Sequence, residues 1–303
     1  MDLSGRTIAV TGATGFLGSH IAEVLVARGA RVRGVVRSPE KGRWMAERWG
    51  VELVSGDILR PDSLARAFEG CDAVVANAAL AVRGVNPAWE DFERANVGGC
   101  ANQLFGAAQA SIRRVVLIST VGVYAVRPFV RMTEDHPQLG NLRQARWSLS
   151  SLTTNPKYML SKRLGELRAW EVAGAQGLAL TALRPGPIYG SRDVKFTARY
   201  REQVRRALVP APTVRVPHVH AADVALAVAG ALENEASAGR AYNVAGDSVS
   251  PYRALTAMKA QVGGGLLIPI PLPFWVAYDD SAAARDLGFR SRSVEDGMAE
   301  ACA

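Results

Sequence analysis

Cysteine is scarce in this chain. Cys71, Cys100 and Cys302 are odd in number and scattered over 303 residues, which argues against a disulfide framework or a zinc site. No apolar run reaches the roughly 18 residues a membrane-crossing helix needs. The best candidate, GGGLLIPIPLPFWVAY at 263–278, is broken by Pro269, Pro271 and Pro273. The opening MDLSGRTIAVTGATG has Asp2 and no uninterrupted apolar stretch, so a secretory leader is not expected. The expectation is a soluble, cytoplasmic protein with no membrane association. Lysine is rare too, 5 against 31 arginines, and no long basic run or interleaved aromatic motif accompanies the net charge of +8. That balance points to a small anionic ligand rather than nucleic acid. Neither internal repeats nor low-complexity linkers occur. With 49% apolar and 21% charged residues, the chain has ample material for a buried core, as one large domain or two closely joined lobes.

The order of elements is regular. RTIAV (6–10), VRGVV (32–36), VELVSGD (51–57), DAVVAN (72–77), RRVVLIS (113–119) and GLALTALRPG (177–186) read as strands. Between them lie helix-like stretches, including GFLGSHIAEVLVARG and a long one from about Trp89 to Ala110. Alternating strands and helices argue for an α/β fold: a Rossmann-type, doubly wound parallel sheet covered on both faces. Past about residue 190 the alternation loosens into short, proline-rich pieces. The expected division is therefore a dinucleotide-binding domain over 1–176 with a returning segment 214–246. A smaller C-terminal substrate lobe would comprise 177–213 and 247–303.

TGATGFLG follows the first strand directly and carries Gly12, Gly15 and Gly18. A glycine-rich turn entering a helix lets backbone N–H groups and the helix dipole meet a pyrophosphate. The end of the second strand separates the two nicotinamide cofactors: an acid there binds the ribose hydroxyls of NAD, an arginine accommodates the 2′-phosphate of NADP. Here stand Arg37 and Ser38 with no acid, so the expectation is NADP(H), with NAD as the other possibility. The competing reading of Arg37 is a solvated loop arginine. Tyr158 and Lys162 share a helix face at i and i+4, a spacing any helix can show by chance.

Taken together and in order, these pieces resemble the extended short-chain dehydrogenases/reductases, the NAD-dependent epimerase/dehydratase family. Further landmarks are SGDI with Asp57, NAA at 77–79, NVGG at 96–99, STVGVY at 119–124, RPGPIYG at 184–190, VHAADVA at 219–225 and YNVAG at 242–246. The run VRGVVRSPEK is similar to dihydroflavonol and cinnamoyl-CoA reductase-like members. The resemblance implies that Tyr158 is the general acid/base. Lys162 would hold the nicotinamide ribose and lower the tyrosine pKa, and the Thr120 hydroxyl would hold the substrate oxygen. It further implies cofactor contacts at Gly12, Thr14, Gly15, Phe16, Leu17, Arg37, Asp57, Ile58, Asn77, Ala78, Ala79, Asn96 and Pro185, besides Tyr158 and Lys162. Substrate contacts are expected at Ser119, a fallback for Thr120, and at Tyr124 and Arg215. A homodimer through the helices near 90–110 and 155–172 is expected from the resemblance alone.

Two stretches depart from the family pattern. The 125–157 stretch carries Arg127, Arg131, Arg143 and Arg146 and is either a lid for an anionic substrate or a solvated surface loop. The segment between YNVAG and DDSAAARDLGF is short, and its apolar PIPLPFWVAY either lines a pocket or packs on the sheet. His218, His220 and Asp223 could converge on a metal, but VHAADVA matches a structural turn of the family, so no metal is expected. The leading reading is an NADP(H)-dependent ketone or aldehyde reductase. The alternatives are a nucleotide-sugar epimerase or, behind it, a dehydratase with tightly bound NAD, and a non-catalytic NADP-binding sensor or scaffold.

Overall fold

The computed structural model describes residues 1–81, 86–152 and 154–302. Its first half follows the expected alternation. Thr7–Thr11 is β1, Phe16–Ala27 α1, Arg31–Val36 β2, Arg43–Trp49 α2, Glu52–Ser55 β3, Pro61–Phe68 α3 and Ala73–Ala76 β4. The long helical stretch is interrupted. Trp89–Phe92 (α4) runs into a π-helical turn, Glu93–Gly98, before α5 (Gly99–Gln109) and β5 (Arg114–Ile118). Arg131–Met132 (β6) and Leu142–Trp147 (α6) follow, then the long α7, Pro156–Gln176. Local chemistry sets both ends of α7. Asn155 Oδ1 accepts the Lys157 N–H at 2.8 Å, Pro156 occupies the first turn, and Gly177 closes the helix at φ +62°.

The remaining elements are β7 (Ala179–Pro185), β8 (Ile188–Tyr189), α8 (Phe196–Val204), β9 (Leu208–Pro212), β10 (Val216–His220) and α9 (Ala221–Glu233). Then come β11 (Arg240–Val244), β12 (Asp247–Val249), α10 (Pro251–Val262), β13 (Leu266–Ile270), β14 (Ala277–Tyr278), α11 (Ser281–Leu287) and α12 (Val294–Cys302).

Seven strands form one parallel sheet in the order β11-β7-β5-β4-β1-β2-β3. β1, β4 and β5 are buried at every residue because helices cover both faces. Ile8 and Val10 pack with Ile21 and Leu25 of α1 and Val224 and Val228 of α9 on one face. Ala9 and Val74 pack with Leu64 of α3, Leu104 of α5 and Val172 of α7 on the other. The chain builds outward through β2 and β3, then returns to the far side of β1 at β4. That reversal opens a crevice at the carboxyl ends of β1 and β4, where ligands of such sheets bind.

The expected boundary at 177 needs correction. Ala179–Pro185 is not part of the smaller lobe: β7 lies inside the main sheet, paired with β5 and β11. Conversely, β10 leaves the main sheet to join β8 and β12, although α9 after it packs on α1. A separate core of Tyr200, Val204, Val209, Leu255, Met258 and Met298 lies under α8, α10 and the β9–β13 ribbon.

Candidate active site

The glycine loop lies at the crevice. Gly12 has φ +64°, and a Cβ there would stand 3.2 Å from Ala78 Cα. At Gly18 a Cβ would sit 2.2 Å from the Gly12 carbonyl oxygen, so α1 approaches the loop as closely as backbone permits. Gly15 caps α1 without a side chain, and the first N–H groups, those of Phe16 and Leu17, have no intrahelical acceptor. Such a cradle fits a dinucleotide pyrophosphate. Thr14 is half-buried in the same loop. Across the crevice Asn77 Nδ2 donates to Thr11 O at 3.1 Å, fixing the Asn77–Ala79 segment against β1.

Arg37 follows β2 one strand away, exposed and with no ion pair among the described residues. Asp57 and Ile58 follow β3. Asp57 turns the chain by accepting the Leu59 N–H at 3.0 Å, and Ile58 O accepts from Asn102 of α5 at 2.8 Å. Pro185 ends β7, buried.

Thr120 is half-buried just past β5. Its Oγ1 accepts the Gly122 N–H at 3.1 Å, which leaves the hydroxyl proton to donate. Met159, next to Tyr158, packs against this turn: its Cγ lies 3.3 Å from the place of a Gly122 Cβ. The Tyr158 ring meets Phe92 at 6.3 Å between centroids, and its hydroxyl has no hydrogen-bond partner among the described residues. Desolvation pushes this phenol up to about 12, so at neutral pH it holds its proton. Lys162 is buried with its Nζ donating to Ile118 O at 2.8 Å. Burial lowers its pKa, countered by Cys100 and Glu166. In this arrangement burial is the cause of the Tyr158 shift, and the Lys162 ammonium is held by the strand-end carbonyl.

Several expected contacts have other duties. Asn96 is buried: its Oδ1 accepts the Leu80 N–H at 2.7 Å, while its Nδ2 donates to Leu80 O and Ser161 Oγ. It braces the loop after β4 against α7 instead of offering a side chain to a cofactor. Ser119 gives its hydroxyl proton to Glu166, buried inside the protein, which removes it as the substitute for Thr120. Tyr124 is fully buried, donating to Asn243 Oδ1 and accepting from Arg184 Nη1, each at 2.7 Å, so its hydroxyl does not face a substrate. Arg215 is exposed at the edge of β10, bridged through backbone to Trp275.

Arg127, Arg131, Arg143 and Arg146 are all exposed, and none forms an ion pair among the described residues. Of the apolar segment, Leu266, Ile268, Ile270 and Leu272 remain exposed. Val276 and Tyr278 are buried with Val121 and Tyr124. His218 Nδ1 bonds Val216 O, His220 caps α9, and Asp223 pairs with Arg292 at 2.8 Å. These three side chains therefore serve the fold.

Sequence reasoning missed Glu166 and Arg184, a buried ion pair at 2.6 Å beside the Tyr158–Lys162 stretch. Arg184 pulls the Glu166 carboxyl below its usual range, and Glu166 raises Arg184 further. The available signal was an arginine inside the apolar strand ALTALRP, which burial obliges to find a carboxylate.

The profile of the NAD dependent epimerase/dehydratase family matches residues 8–245. The chain is 32% identical to cinnamoyl-CoA reductase 1 of Petunia hybrida over 62% of its length. That match spans 56% of the plant protein, so the chain matches little more than half of that relative. It is 27% identical to tetraketide alpha-pyrone reductase 1 of Arabidopsis thaliana, covering 98% of this chain and 94% of that one. Among solved structures, a yeast methylglyoxal/isovaleraldehyde reductase complexed with NADPH superposes with TM-score 0.83 at 19% identity, covering 98% and 97% of the two chains. The UDP-N-acetylglucosamine 4-epimerase of Bacillus cereus gives 0.79 at 22%, covering 98% of each. Cradle, strand order and profile agree: the chain belongs to the NAD dependent epimerase/dehydratase family, the extended short-chain dehydrogenases/reductases, and falls near the cinnamoyl-CoA reductase-like members.

Proposed function

We propose that this protein is an NADP(H)-dependent oxidoreductase that reduces a ketone or aldehyde, with Tyr158 as general acid. The carrying observation is the placement of Tyr158: a phenol with no hydrogen-bond partner among the described residues, one helical turn from Lys162 on the helix whose Met159 packs against the Thr120 turn. A reduced nicotinamide, when bound, supplies the hydride. Thr120 donates its free hydroxyl proton as a hydrogen bond to the carbonyl oxygen and holds it. Tyr158 releases its own proton to that oxygen, so hydride and proton together convert C=O to CH–OH. The loop of Gly12, Gly15 and Gly18 cradles the pyrophosphate, and Arg37, free of any carboxylate, suits a 2′-phosphate. Lys162 holds its ammonium at the strand end, ready to exchange the Ile118 carbonyl for a ribose hydroxyl. Reductases among the relatives favour this reading over an epimerase.

The second reading, a nucleotide-sugar 4-epimerase with retained NAD, draws on the likeness to UDP-hexose epimerase structures and on the exposed arginines of 127–146. A homodimer through α5 and α7 belongs to the proposal, as do a small anionic substrate and a cytoplasmic setting. Among the described residues, no helix is long and apolar enough to cross a membrane.

The test is to identify any cofactor carried by purified protein and then titrate it with NADPH and NADH, alongside Arg37→Asp. Preference for NADPH, lost in the variant, is expected. It should be accompanied by NADPH oxidation with a panel of aldehydes, 3-oxoacyl thioesters and cinnamoyl thioesters. Tightly held NAD together with turnover of UDP-sugars would establish the epimerase instead.

A further inference from the structure

A buried polar cluster outside the reacting groups lies behind the Thr120 turn. Glu166 and Arg184 are 2% and 4% exposed. The Arg184 guanidinium takes both carboxylate oxygens, with Nη2 at 2.6 Å from Oε1 and Nε at 3.1 and 3.2 Å from the pair. Ser119 donates to Glu166 Oε2. Arg184 Nη1 donates onward to Tyr124 Oη at 2.7 Å and to Glu134 O at 3.0 Å. Tyr124 donates to Asn243 Oδ1, and the Asn243 N–H returns to Glu134 Oε1 at 2.9 Å. One network thus ties β5, α7, β7, β11 and the start of the 125–157 stretch.

Stability alone is a poor reason for it, since well-packed apolar side chains replace buried ion pairs at little or no cost. Its placement supplies a better one. Tyr158, Lys162 and Glu166 follow one another at i, i+4 and i+8 along α7 and so share a face. Lys162 grips Ile118 O and Glu166 grips Ser119 Oγ, consecutive residues of the strand end, and the next residue is Thr120. Glu166 also stands one turn from Lys162, where a free carboxylate would pair with the ammonium. Arg184 occupies both oxygens, and no Lys162–Glu166 bridge forms.

We propose that Glu166, saturated by Arg184 and bonded to Ser119, is a positioning residue that sets Thr120 against Tyr158 and keeps Lys162 free to change partners. This rests on Tyr158 and Lys162 being the reacting pair. The variants are Ser119→Ala, which removes one hydrogen bond without stranding a charge, and the double replacement Glu166→Leu with Arg184→Met, which removes both charges together.

Each is saturated with NADP⁺, and the Tyr158 phenol is titrated by NMR of ring-labelled tyrosine, assigned with Tyr158→Phe; no substrate is needed. Thermal melting and NADP⁺ affinity serve as controls, and isovaleraldehyde is the probe for turnover. The expected result is folded variants with NADP⁺ affinity within about twofold of wild type. Their Tyr158 titration should move by about one unit and kcat should fall at least about tenfold, with KM little changed. A wild-type Tyr158 titration in folded Ser119→Ala overturns the proposal, and this variant decides if the double one fails to fold. A wild-type enzyme inert toward every carbonyl probe would instead sink the reductase reading, while the titration still decides the positioning role.

Discussion

Gly165→Ala and Gly174→Ala are the same substitution on the same helix, and the structure predicts opposite signs for them. A Cβ at Gly165 would lie 2.1 Å from Asn96 O and 3.1 Å from Asn96 C, backbone atoms of the π-helical turn. Carbon and oxygen ordinarily touch no closer than roughly 3.3 Å, so α7 and the turn must part by roughly 1 Å. Overpacking of this kind costs about 1–3 kcal/mol, against about 1 kcal/mol regained from alanine's helix propensity. The Asn96 bonds to Leu80 and Ser161 would lengthen as well, each worth about 1 kcal/mol.

A net loss of about 2 kcal/mol follows, or about 3 °C in thermal midpoint for a chain of this size. Because α7 carries Tyr158 and Lys162, a shift near 1 Å should also lower kcat by about a hundredfold. Gly174 faces open space, with nothing within 4 Å of a Cβ, so its alanine variant should gain up to about 1 kcal/mol and keep full activity. Calorimetry and steady-state kinetics on the two variants decide the matter. A Gly165→Ala protein as stable and as active as Gly174→Ala would refute the packing argument.

Other outcomes follow from the same geometry. Tyr158→Phe should lower kcat by about 10²–10⁴-fold with cofactor affinity retained, as read by turnover and by fluorescence titration with NADPH. Gly18→Ala, whose Cβ would meet Gly12 O at 2.2 Å, should distort the pyrophosphate cradle and weaken both nicotinamide cofactors alike, unlike Arg37→Asp. Burial holds the His218 imidazole down to about 4, against 6.5 when unfolded. The unfolded chain therefore binds the extra proton first, and the stability this group supplies above pH 6.5 is lost as pH falls toward 4, by at most about 3 kcal/mol. Asp280, raised to about 6 by burial, acts in the opposite sense over part of that window. The measurement is thus the difference between wild type and His218→Gln in acid denaturation, which should shrink steadily below pH 6.5.

Much of this molecule is local in origin and was legible without coordinates. The buried strands announce themselves as short apolar β-branched runs, and Gly12, Gly15 and Gly18 mark a turn only small residues permit. The i, i+4 spacing of Tyr158 and Lys162 puts them on one helix face, and the structure adds the ends of that helix at Asn155, Pro156 and Gly177.

What the chain order could not reveal are the partners of buried polar groups, because these are settled by distant segments meeting. Tyr124 reads as a substrate contact until β11 brings Asn243 to its hydroxyl, and Ser119 as a fallback for Thr120 until its hydroxyl donates to Glu166. β7 reads as the edge of a lobe, yet pairing with β5 and β11 puts it inside the sheet. Periodicity reports how deeply a residue is buried; only the packing of the whole chain decides which buried donor meets which acceptor, since an unpaired one is too costly to leave.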